Sequence, residues 1–244
     1  MNRERNIETF ENLLGSVKRP GMEELLNFIR KSDFYTAPAS TRFHLSCEGG
    51  LLQHSLNVYS TLMDKLTPKK DAPGILLYQI CGRTVAEISY ESAIIASLLH
   101  DLCKVYFYSV DYRNQKVYKD TGSKRDEGGR FDWERKAVFI VDDRNPYGHG
   151  EKSVMMIESF IKLTMAERYA IRWHMGMSEA QNIGTYNQAV EKFPFCHILH
   201  MADQEASHFV EDQEGNKELF DRSEKCSQDI GFQEAPAIGG RSDA

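Results

Sequence analysis

The adjacent residues His100 and Asp101 have the side chains best suited to chemistry in this chain. They lie in the segment 91–105, where apolar residues recur at the spacing of one helical face. On a helix that turns by about 100° per residue, His100, Asp101 and Lys104 fall on the opposite side. The small residue Ser97 lies beside them. The pattern therefore predicts a helix over residues 91–105 with a reactive face and space for a ligand next to it.

Imidazole and carboxylate side chains together are typical ligands of Mn, Fe, Co, Ni and Zn ions. Asp101 carries two oxygens, so its carboxylate can bridge two cations, which a histidine does not do. A bridged pair of ions lowers the pKa of a water molecule enough for it to act as hydroxide near neutral pH. Lys104 follows His100 by about one helical turn, and its ammonium can bind a phosphate oxygen as a point charge. This combination indicates hydrolysis by a metal-activated hydroxide.

Three short motifs together resemble the HD-domain superfamily of metal-dependent phosphohydrolases. They are Glu-Gly-Gly-Leu-Leu-Gln-His over residues 48–54, Leu-Leu-His-Asp-Leu-Cys-Lys over residues 98–104, and His-Met-Ala-Asp over residues 200–203. The resemblance spans roughly residues 35–210 and is greatest to the bacterial stand-alone hydrolases of that superfamily. The metal ligands that it implies are His54, His100, Asp101 and Asp203.

Two further histidines fit the binuclear branch of the same superfamily. His149 lies between two glycines, and His174 lies between Trp173 and Met175. The resemblance therefore implies that these histidines bind a second ion, both ions being drawn from Mn, Fe, Co, Ni or Zn. The simpler alternatives are a loop histidine for the first and a cation at a helix C-terminus for the second. His44 is left open between a residue that touches the site and a loop residue.

The resemblance also implies the reaction and the class of substrate. We expect hydrolysis of a phosphoester, in a nucleotide or a related phosphorylated small molecule, with Asp101 and Lys104 as the catalytic residues. Arg42 and Arg172 are further candidates for phosphate binding, although solvated surface charge is the more common fate of such arginines. Monoester and diester substrates are both compatible with the motifs, and so is any oligomeric state.

Two alternative functions compete with this interpretation. A minority of HD-domain proteins use six such ligands for oxygen chemistry, so a mixed-valent di-iron oxygenase is the first alternative. A non-catalytic nucleotide-binding module is the second. The complete ligand set and Lys104 argue against a module that only binds, because binding alone does not need both.

Composition narrows the class of protein. The net charge is −6, which argues against strong electrostatic binding to nucleic acid because such binding needs a basic face. The apolar runs are far shorter than the ~20 residues of a membrane span. Residues 1–5 lack the apolar stretch of a secretory signal, and the five cysteines show no CxxC spacing. We therefore expect a cytoplasmic protein without membrane contact and without a disulfide framework.

The predicted fold class is all-α, an HD-domain helical core with a small β-hairpin or meander inserted. Helices are predicted over residues 7–17, 21–31, 51–66, 91–105, 151–163, 165–175 and 194–210. Residues 1–34 would supply two N-terminal helices that pack on the core, and residues 35–210 the HD domain, with the β insertion at about 106–147. Residues 211–244 are polar and are predicted to form a poorly ordered tail.

Overall fold

The computed structural model describes residues 2–179 and 183–211, whose helices pack around one main apolar core and a smaller apolar cluster that includes Tyr186 and Ala189 of α7. The eight α-helices of these residues are α1 (Arg3–Gly15), α2 (Met22–Lys31), α3 (Gly50–Asp64), α4 (Tyr90–Leu99), α5 (His149–Glu158), α6 (Met165–Arg172), α7 (Ile183–Lys192) and α8 (Phe195–Glu205). Helix α3 lies at the centre, because 11 of its 15 residues are buried. It packs against α4, which the His100–Asp101 pair follows, and against α8, which carries Asp203.

Helices α1 and α2 belong to the same core as the remaining helices. Phe10 of α1 and Leu25 of α2 are fully buried in the cluster that also contains Leu99 of α4. In the connection between α1 and α2, Arg19 makes an ion pair at 2.6 Å with Glu167 of α6, whose side chain is fully buried. The N-terminal helices are therefore held by apolar packing and by a buried charge pair.

A three-stranded antiparallel sheet that the sequence analysis did not predict follows α3. Its strands are β1 (Leu66–Pro68), β2 (Ile75–Ile80) and β3 (Arg83–Ser89), in the order β1-β2-β3. Cys81 and Gly82 join β2 to β3 with φ values of 50° and 73°, the positive pair of a type I′ hairpin turn. Asparagine or aspartate followed by glycine is the usual sequence of this turn, and with Cys81 in the first position the turn was not recognised.

A second antiparallel sheet occupies the predicted β insertion. It consists of β4 (Tyr108–Tyr118), β5 (Lys124–Asp126) and β6 (Gly129–Val141), in the order β4-β6-β5. The long pair β4 and β6 runs in register from Tyr108 opposite Val141 to Tyr118 opposite Phe131. Alternation of aromatic and β-branched residues with polar ones predicted these strands correctly.

The all-α fold class is wrong, because the described residues combine eight helices with two three-stranded sheets. The structure is a mixed α and β fold. The first sheet also contributes to the core, since Leu76 and Ile88 are buried in the main cluster. A sheet that supplies core residues cannot be treated as a surface insertion on a helical domain.

The helix predicted over residues 91–105 is too long. Helix α4 begins after Ser89, whose side chain accepts a hydrogen bond from the backbone of Ser92, and ends at Leu99. Asp101 has φ −104° and ψ 20°, which are not helical values, and a 3-10 turn covers Leu102–Lys104. His100 and Asp101 therefore lie at a helix end, where they can point in different directions.

The C-terminal part of the described chain returns to the core. A π-helical turn, Ala206–Val210, follows α8 and leads to Glu211, which is only 3% exposed. Glu211, the first residue of the predicted tail, is therefore buried, and residues 212–244 lie outside the described residues. None of the helices in the described part of the chain is long and apolar enough to cross a membrane.

Candidate metal centre

Five helix segments bring the six predicted metal ligands into one buried cluster. His54 lies on α3, His100 and Asp101 follow α4, His149 begins α5, His174 follows α6, and Asp203 lies on α8. His149 has a side chain that is 20% exposed, whereas each of the other five residues is at most 5% exposed. The sequence separates the outermost two of these residues by about 150 positions, and only the packing of the helices joins them.

Two glycines allow the helices that carry these ligands to approach closely. A Cβ on Gly50, at the beginning of α3, would overlap the carbonyl oxygen of Leu45. A Cβ on Gly150, in the first turn of α5, would overlap the backbone of Arg172 at the end of α6. Glycine at these positions therefore sets the depth of α3 and the distance between α5 and α6. The second contact places His149 beside His174.

The hydrogen bonds of three histidines determine which ring nitrogen faces the cluster. The Nδ1 atom of His100 lies 2.8 Å from the carbonyl oxygen of Ser97, and that of His174 lies 2.7 Å from the carbonyl oxygen of Ile171. Both carbonyls lie in the last turn of a helix, where backbone oxygens lack helical partners. Because a carbonyl only accepts, Nδ1 carries the hydrogen in both rings, and in the neutral rings Nε2 carries a lone pair.

His54 has the same arrangement with a carboxylate as the acceptor. Its Nδ1 atom lies 3.0 Å from Oε1 and 3.2 Å from Oε2 of Glu211. Its Nε2 atom points to the cluster, 3.2 Å from Nε2 of His100. Two imidazole nitrogens that face each other at this distance need a proton or a cation between them, because two lone pairs repel. The contact is compatible with two ligands of one metal ion and equally with a proton shared by the two rings.

His174 has surroundings that are compatible with a bound cation. It is fully buried, and its Nε2 atom has no hydrogen-bond partner among the described residues. That atom lies 3.4 Å from Oδ1 of Asp101. A buried polar atom without a hydrogen bond costs about 1–3 kcal/mol, and a cation between Nε2 and Oδ1 would remove that cost. The donor set therefore fits a divalent metal, and buried His and Asp groups lie within metal-binding distance of one another.

The two oxygens of Asp101 face different pairs of histidines. Oδ2 lies 3.4 Å from Nε2 of His100 and 3.6 Å from Nε2 of His54. Oδ1 lies 2.7 Å from Nε2 of His149 and 3.4 Å from Nε2 of His174. Each oxygen therefore has its own pair of histidine nitrogens, and Oδ2 also lies 2.6 Å from Nζ of Lys104. The cluster thus has two halves that share Asp101.

Charges around the cluster favour a cation in its interior. Burial opposes a charge on His54, but the carboxylates of Glu211 and Asp203 outweigh that cost and raise the pKa of His54 to about 10. Burial also opposes ionisation of Asp203, but the neighbouring His54 outweighs it and holds the pKa of Asp203 below its usual range. Asp203 Oδ1 lies 3.2 Å from Nε2 of His54. Protons and metal ions would compete for this position.

Glu211 is a site residue that the sequence analysis missed. Its carboxylate contacts Nδ1 of His54, accepts a hydrogen bond from Nδ2 of Asn57 at 2.8 Å, and lies 2.6 Å from Nδ1 of His44. Burial opposes its ionisation, but the charge of His54 outweighs that and lowers the pKa of Glu211 to about 2. A carboxylate behind a ligand histidine fixes the ring and makes it a stronger ligand. His44 therefore touches the site through Glu211.

Glu211 was not identified from the sequence because it follows the last predicted helix and begins a polar segment. Asp203 and Glu211 are eight residues apart, which is close to the repeat of a helical face, and this spacing is the one available clue. A π turn contains more residues than an α turn, so the turn after α8 changes which side the following residue faces. That change is not readable from the sequence.

The three predicted phosphate-binding residues lie in different surroundings. Lys104 is in the cluster, where its Nζ atom lies 2.6 Å from Oδ2 of Asp101 and donates to the carbonyl oxygen of Ala39 at 2.7 Å. Arg42 is exposed, with its guanidinium 5.2 Å from the ring centre of Phe43. Arg172 is paired with Glu151, and its guanidinium lies 4.1 Å from the Trp173 ring. Lys104 is thus the one cation of the three that contacts a predicted ligand.

Arg172 and Glu151 line a surface pocket on a different side of α5 from His149. The pocket has a volume of about 490 Å³ and also includes Tyr147 and Tyr169. Residue 151 follows residue 149 by about 200° around the helix, so the two side chains diverge. The pocket is therefore not the interior of the histidine cluster.

Comparison of the chain with protein-family models, with curated proteins and with solved structures returns no match. The functional assignment therefore depends on the geometry of this cluster and on the resemblance of its motifs.

Proposed function

We propose that this protein is a metal-dependent phosphohydrolase of the HD-domain kind, with two divalent transition-metal ions shared by Asp101. One observation carries the proposal. The Nε2 atoms of His54, His100 and His174 converge on the two oxygens of one buried aspartate, with their Nδ1 atoms all engaged elsewhere. Metal ions of the Mn, Fe, Co, Ni or Zn type prefer such a set of imidazoles and carboxylates.

The residues divide between two halves of the site. The first half would consist of His54, His100 and Asp203 with Oδ2 of Asp101. The second would consist of His149 and His174 with Oδ1 of the same residue. When bound, the ions would lower the pKa of a water molecule and polarise a phosphoryl oxygen.

Protein groups around the ions orient the ligands and admit the substrate. Glu211 holds His54 with Nε2 inward, and the helix-end carbonyls of Ser97 and Ile171 do the same for the other two histidines. Because His149 is the most exposed of the ligands, the substrate would approach from its side of the cluster. The ammonium of Lys104 would offset negative charge that develops on the phosphoryl group.

The proposed substrate is a nucleotide or a related small phosphorylated molecule, and this part of the proposal rests on the resemblance to HD-domain hydrolases. The negative overall charge supports a small substrate rather than a long nucleic acid. The positive charge for one phosphate would come from the ions and from Lys104. The reaction would occur at a buried site that a long polymer could not enter without rearrangement.

The test is metal analysis of the purified protein followed by a phosphate-release screen over nucleotides. Asp101→Ala and His54→Ala should lose metal and hydrolytic activity while the protein remains folded. The matched control is His197→Ala, which removes a histidine of α8 whose Nδ1 lies 3.4 Å from the hydroxyl of Tyr186, away from the cluster. The control should retain both properties.

Two outcomes would overturn the proposal. Full activity and full metal content in Asp101→Ala would show that the cluster is not the metal site. An iron-containing, air-reactive protein that releases no phosphate from any nucleotide would favour the di-iron oxygenase alternative instead.

A further inference from the structure

The outer edge of strand β4 has no partner strand in the described part of the chain. In the sheet order β4-β6-β5, β4 pairs with β6 on one side only. Residues 110–116 of this 11-residue strand are all exposed. A long and exposed edge strand presents a row of backbone N–H and C=O groups that can pair with another strand. The edge of β4 is therefore a candidate surface for association.

Even-numbered residues of β4 direct their backbone groups to this outer edge. Just beyond the first ladder pair, the N–H of Asp142 donates to the carbonyl oxygen of Phe107 at 2.9 Å, and the ladder keeps one register from there to its end. In an antiparallel pair, only every second residue of a strand bonds to a given neighbour, so the odd-numbered residues of β4 bond to β6. Consistently, the N–H of Tyr112 donates to its neighbour Asp111, at 2.7 Å from Oδ1.

Antiparallel pairing of two β4 strands about a two-fold axis at Tyr112 would satisfy these outward groups. Tyr112 would then lie opposite its own copy, and Val110 would lie opposite Asn114 of the second copy. All three residues are even-numbered, so the backbone groups that meet are those that β6 does not use, and about six hydrogen bonds can form between them. A two-fold contact of this kind closes on itself and produces a dimer rather than a fibre.

The charges of β4 favour an axis at Tyr112 over its nearest alternatives. This axis sets Asp111 of each copy opposite Arg113 of the other, at non-hydrogen-bonded positions where the side chains of two strands lie closest. Both side chains are exposed, and within one chain Nε of Arg113 lies 3.7 Å from Oδ2 of Asp111. An axis moved by one residue would set Arg113 opposite Arg113, or Asp111 opposite Asp111, and like charges in directly opposite positions are destabilising.

Apolar side chains on the other face of the sheet would be partly covered by the same contact. Val110 is 56% exposed and Tyr112 is 57% exposed. The ring of Tyr112 also has the guanidinium of Arg135 at 5.3 Å from its centre. In the paired strands, each Tyr112 ring would lie beside its copy and diagonal to Val110 of the second copy, within reach of both. Burial of this exposed apolar surface would add to the backbone hydrogen bonds.

We propose that this protein forms a symmetric dimer in which two β4 strands pair at Tyr112 and join the two three-stranded sheets into one of six strands. The partner at the outer edge of β4 is thus a second copy of this chain. On pairing, the N–H of Tyr112 exchanges the carboxylate of Asp111 for the carbonyl oxygen of the second copy. This exchange releases Asp111 to pair with Arg113 of that copy. The dimer does not depend on the metal centre, so it stands or falls separately from the proposed function.

The test measures the dissociation constant of the dimer by analytical ultracentrifugation over a range of protein concentrations. Asp111→Arg sets two positive charges opposite each other, and Arg113→Asp sets two negative charges opposite each other, in both cases twice per dimer. Each variant should dimerise at least about tenfold more weakly than the wild type. The double variant Asp111→Arg/Arg113→Asp restores opposite charges and should dimerise like the wild type. Asp120→Arg is the matched control, because it makes the same change at an exposed residue beyond the end of β4.

An equimolar mixture of the two single variants is a sharper test. Each variant repels its own copy, whereas a mixed pair sets a positive side chain opposite a negative one at both positions. The mixture should therefore form a heterodimer with close to the wild-type affinity. Tyr112→Pro tests the backbone contact, because proline has no N–H and is tolerated on an edge strand where that N–H faces outward. This variant should be monomeric, and circular dichroism should show that its fold is retained.

Three outcomes would overturn the dimer. A wild-type protein that remains monomeric at every concentration would do so, whether solvent or another segment of the same chain covers the edge of β4. A dimer that neither the single charge reversals nor Tyr112→Pro weakens would show that another surface associates. A mixture of the single variants that forms no heterodimer would refute the pairing of Asp111 with Arg113. The double variant and Tyr112→Pro keep the test decisive if one single variant fails to fold.

Discussion

Replacement of Glu211 should weaken metal binding although this residue is not a proposed ligand. Its carboxylate holds Nδ1 of His54 at 3.0 and 3.2 Å, which keeps the lone pair of Nε2 directed to the cluster. Loss of such an outer partner typically reduces metal affinity by about 10–100-fold. At about 1.4 kcal/mol per factor of ten, this corresponds to about 1.4–2.8 kcal/mol.

Two substitutions at this position should give graded effects. Glu211→Gln retains one oxygen that can accept from both His54 and Asn57, and it loses the negative charge and the oxygen that contacts His44, so we expect about tenfold weaker binding. Glu211→Ala leaves the Nδ1–H of His54 buried without an acceptor, so we expect about 100-fold. Glu205→Gln is the matched control, because Glu205 is a partly exposed acid of α8 that pairs with Lys65.

The assay is competition for Zn²⁺ between the protein and a chromophoric chelator at constant pH. Circular dichroism of each metal-free variant establishes that the helices remain. Affinities of both Glu211 variants within about twofold of the wild type would refute the reasoning, since they would show that His54 needs no carboxylate behind it. An equal loss in Glu205→Gln would instead assign the effect to general charge.

Three further predictions follow from the site and from the core. His149→Ala should reduce the metal content measured by mass spectrometry from two ions per chain to one. A wild-type structure with metal should show two ions about 3.5–4 Å apart. A single ion in that structure at saturating metal would contradict the two-ion site. Lys104→Met should lower kcat by ~10²–10³ with unchanged metal content, because it removes the ammonium that would lie beside the reacting phosphoryl group. Wild-type turnover would refute this role. Loss of metal would show that the lysine acts by holding Asp101. Glu167→Gln should destabilise the protein at pH 7 by about 1–3 kcal/mol in denaturant unfolding, since it removes the charge that pairs with Arg19 at 2.6 Å while Arg19 keeps Glu91 at 3.7 Å. Burial opposes ionisation of Glu167, but the hydrogen bond to Arg19 outweighs burial and lowers the pKa of Glu167. The ionised carboxylate therefore stabilises the fold above the unfolded-state pKa of about 4.5, and this stabilisation is lost as the pH falls through the folded-state pKa. Because the variant lacks this carboxylate, it should lose less stability than the wild type on acidification.

Local sequence patterns were sufficient to predict features that lie within one helix or one strand. Thr164 and Glu167, three positions apart, form the sequence pattern of a capping box, and both of its hydrogen bonds are present at the start of α6. Alternation of apolar and polar residues in the segment 106–147 predicted the strands of the second sheet, because adjacent residues of a strand lie on its two opposite faces. The strands of the first sheet were missed, because their hairpin turn uses Cys81 with a positive φ.

The candidate ligands were recognisable from the sequence by type and motif, but their arrangement was not. The spacing of His100 and Asp101 suggested one helical face, whereas α4 ends at Leu99 and the two side chains leave a helix terminus. That break is what lets the oxygens of Asp101 face two different pairs of histidines. A one-dimensional pattern contains residue types and local periods but not the direction of a side chain beyond a helix end.

Only the tertiary structure could identify Glu211 and place Cys103. Glu211 reaches His54 across 157 residues, through a π turn that reorients the chain after α8. Cys103 reads in the sequence as an ordinary buried thiol, and only the packing of α5 brings Nδ1 of His149 to 3.3 Å from its sulfur. Contacts between distant segments depend on how the helices pack, and packing depends on the shapes of many side chains together. The sequence alone therefore determined which groups were available for chemistry, and the fold determined which of them meet.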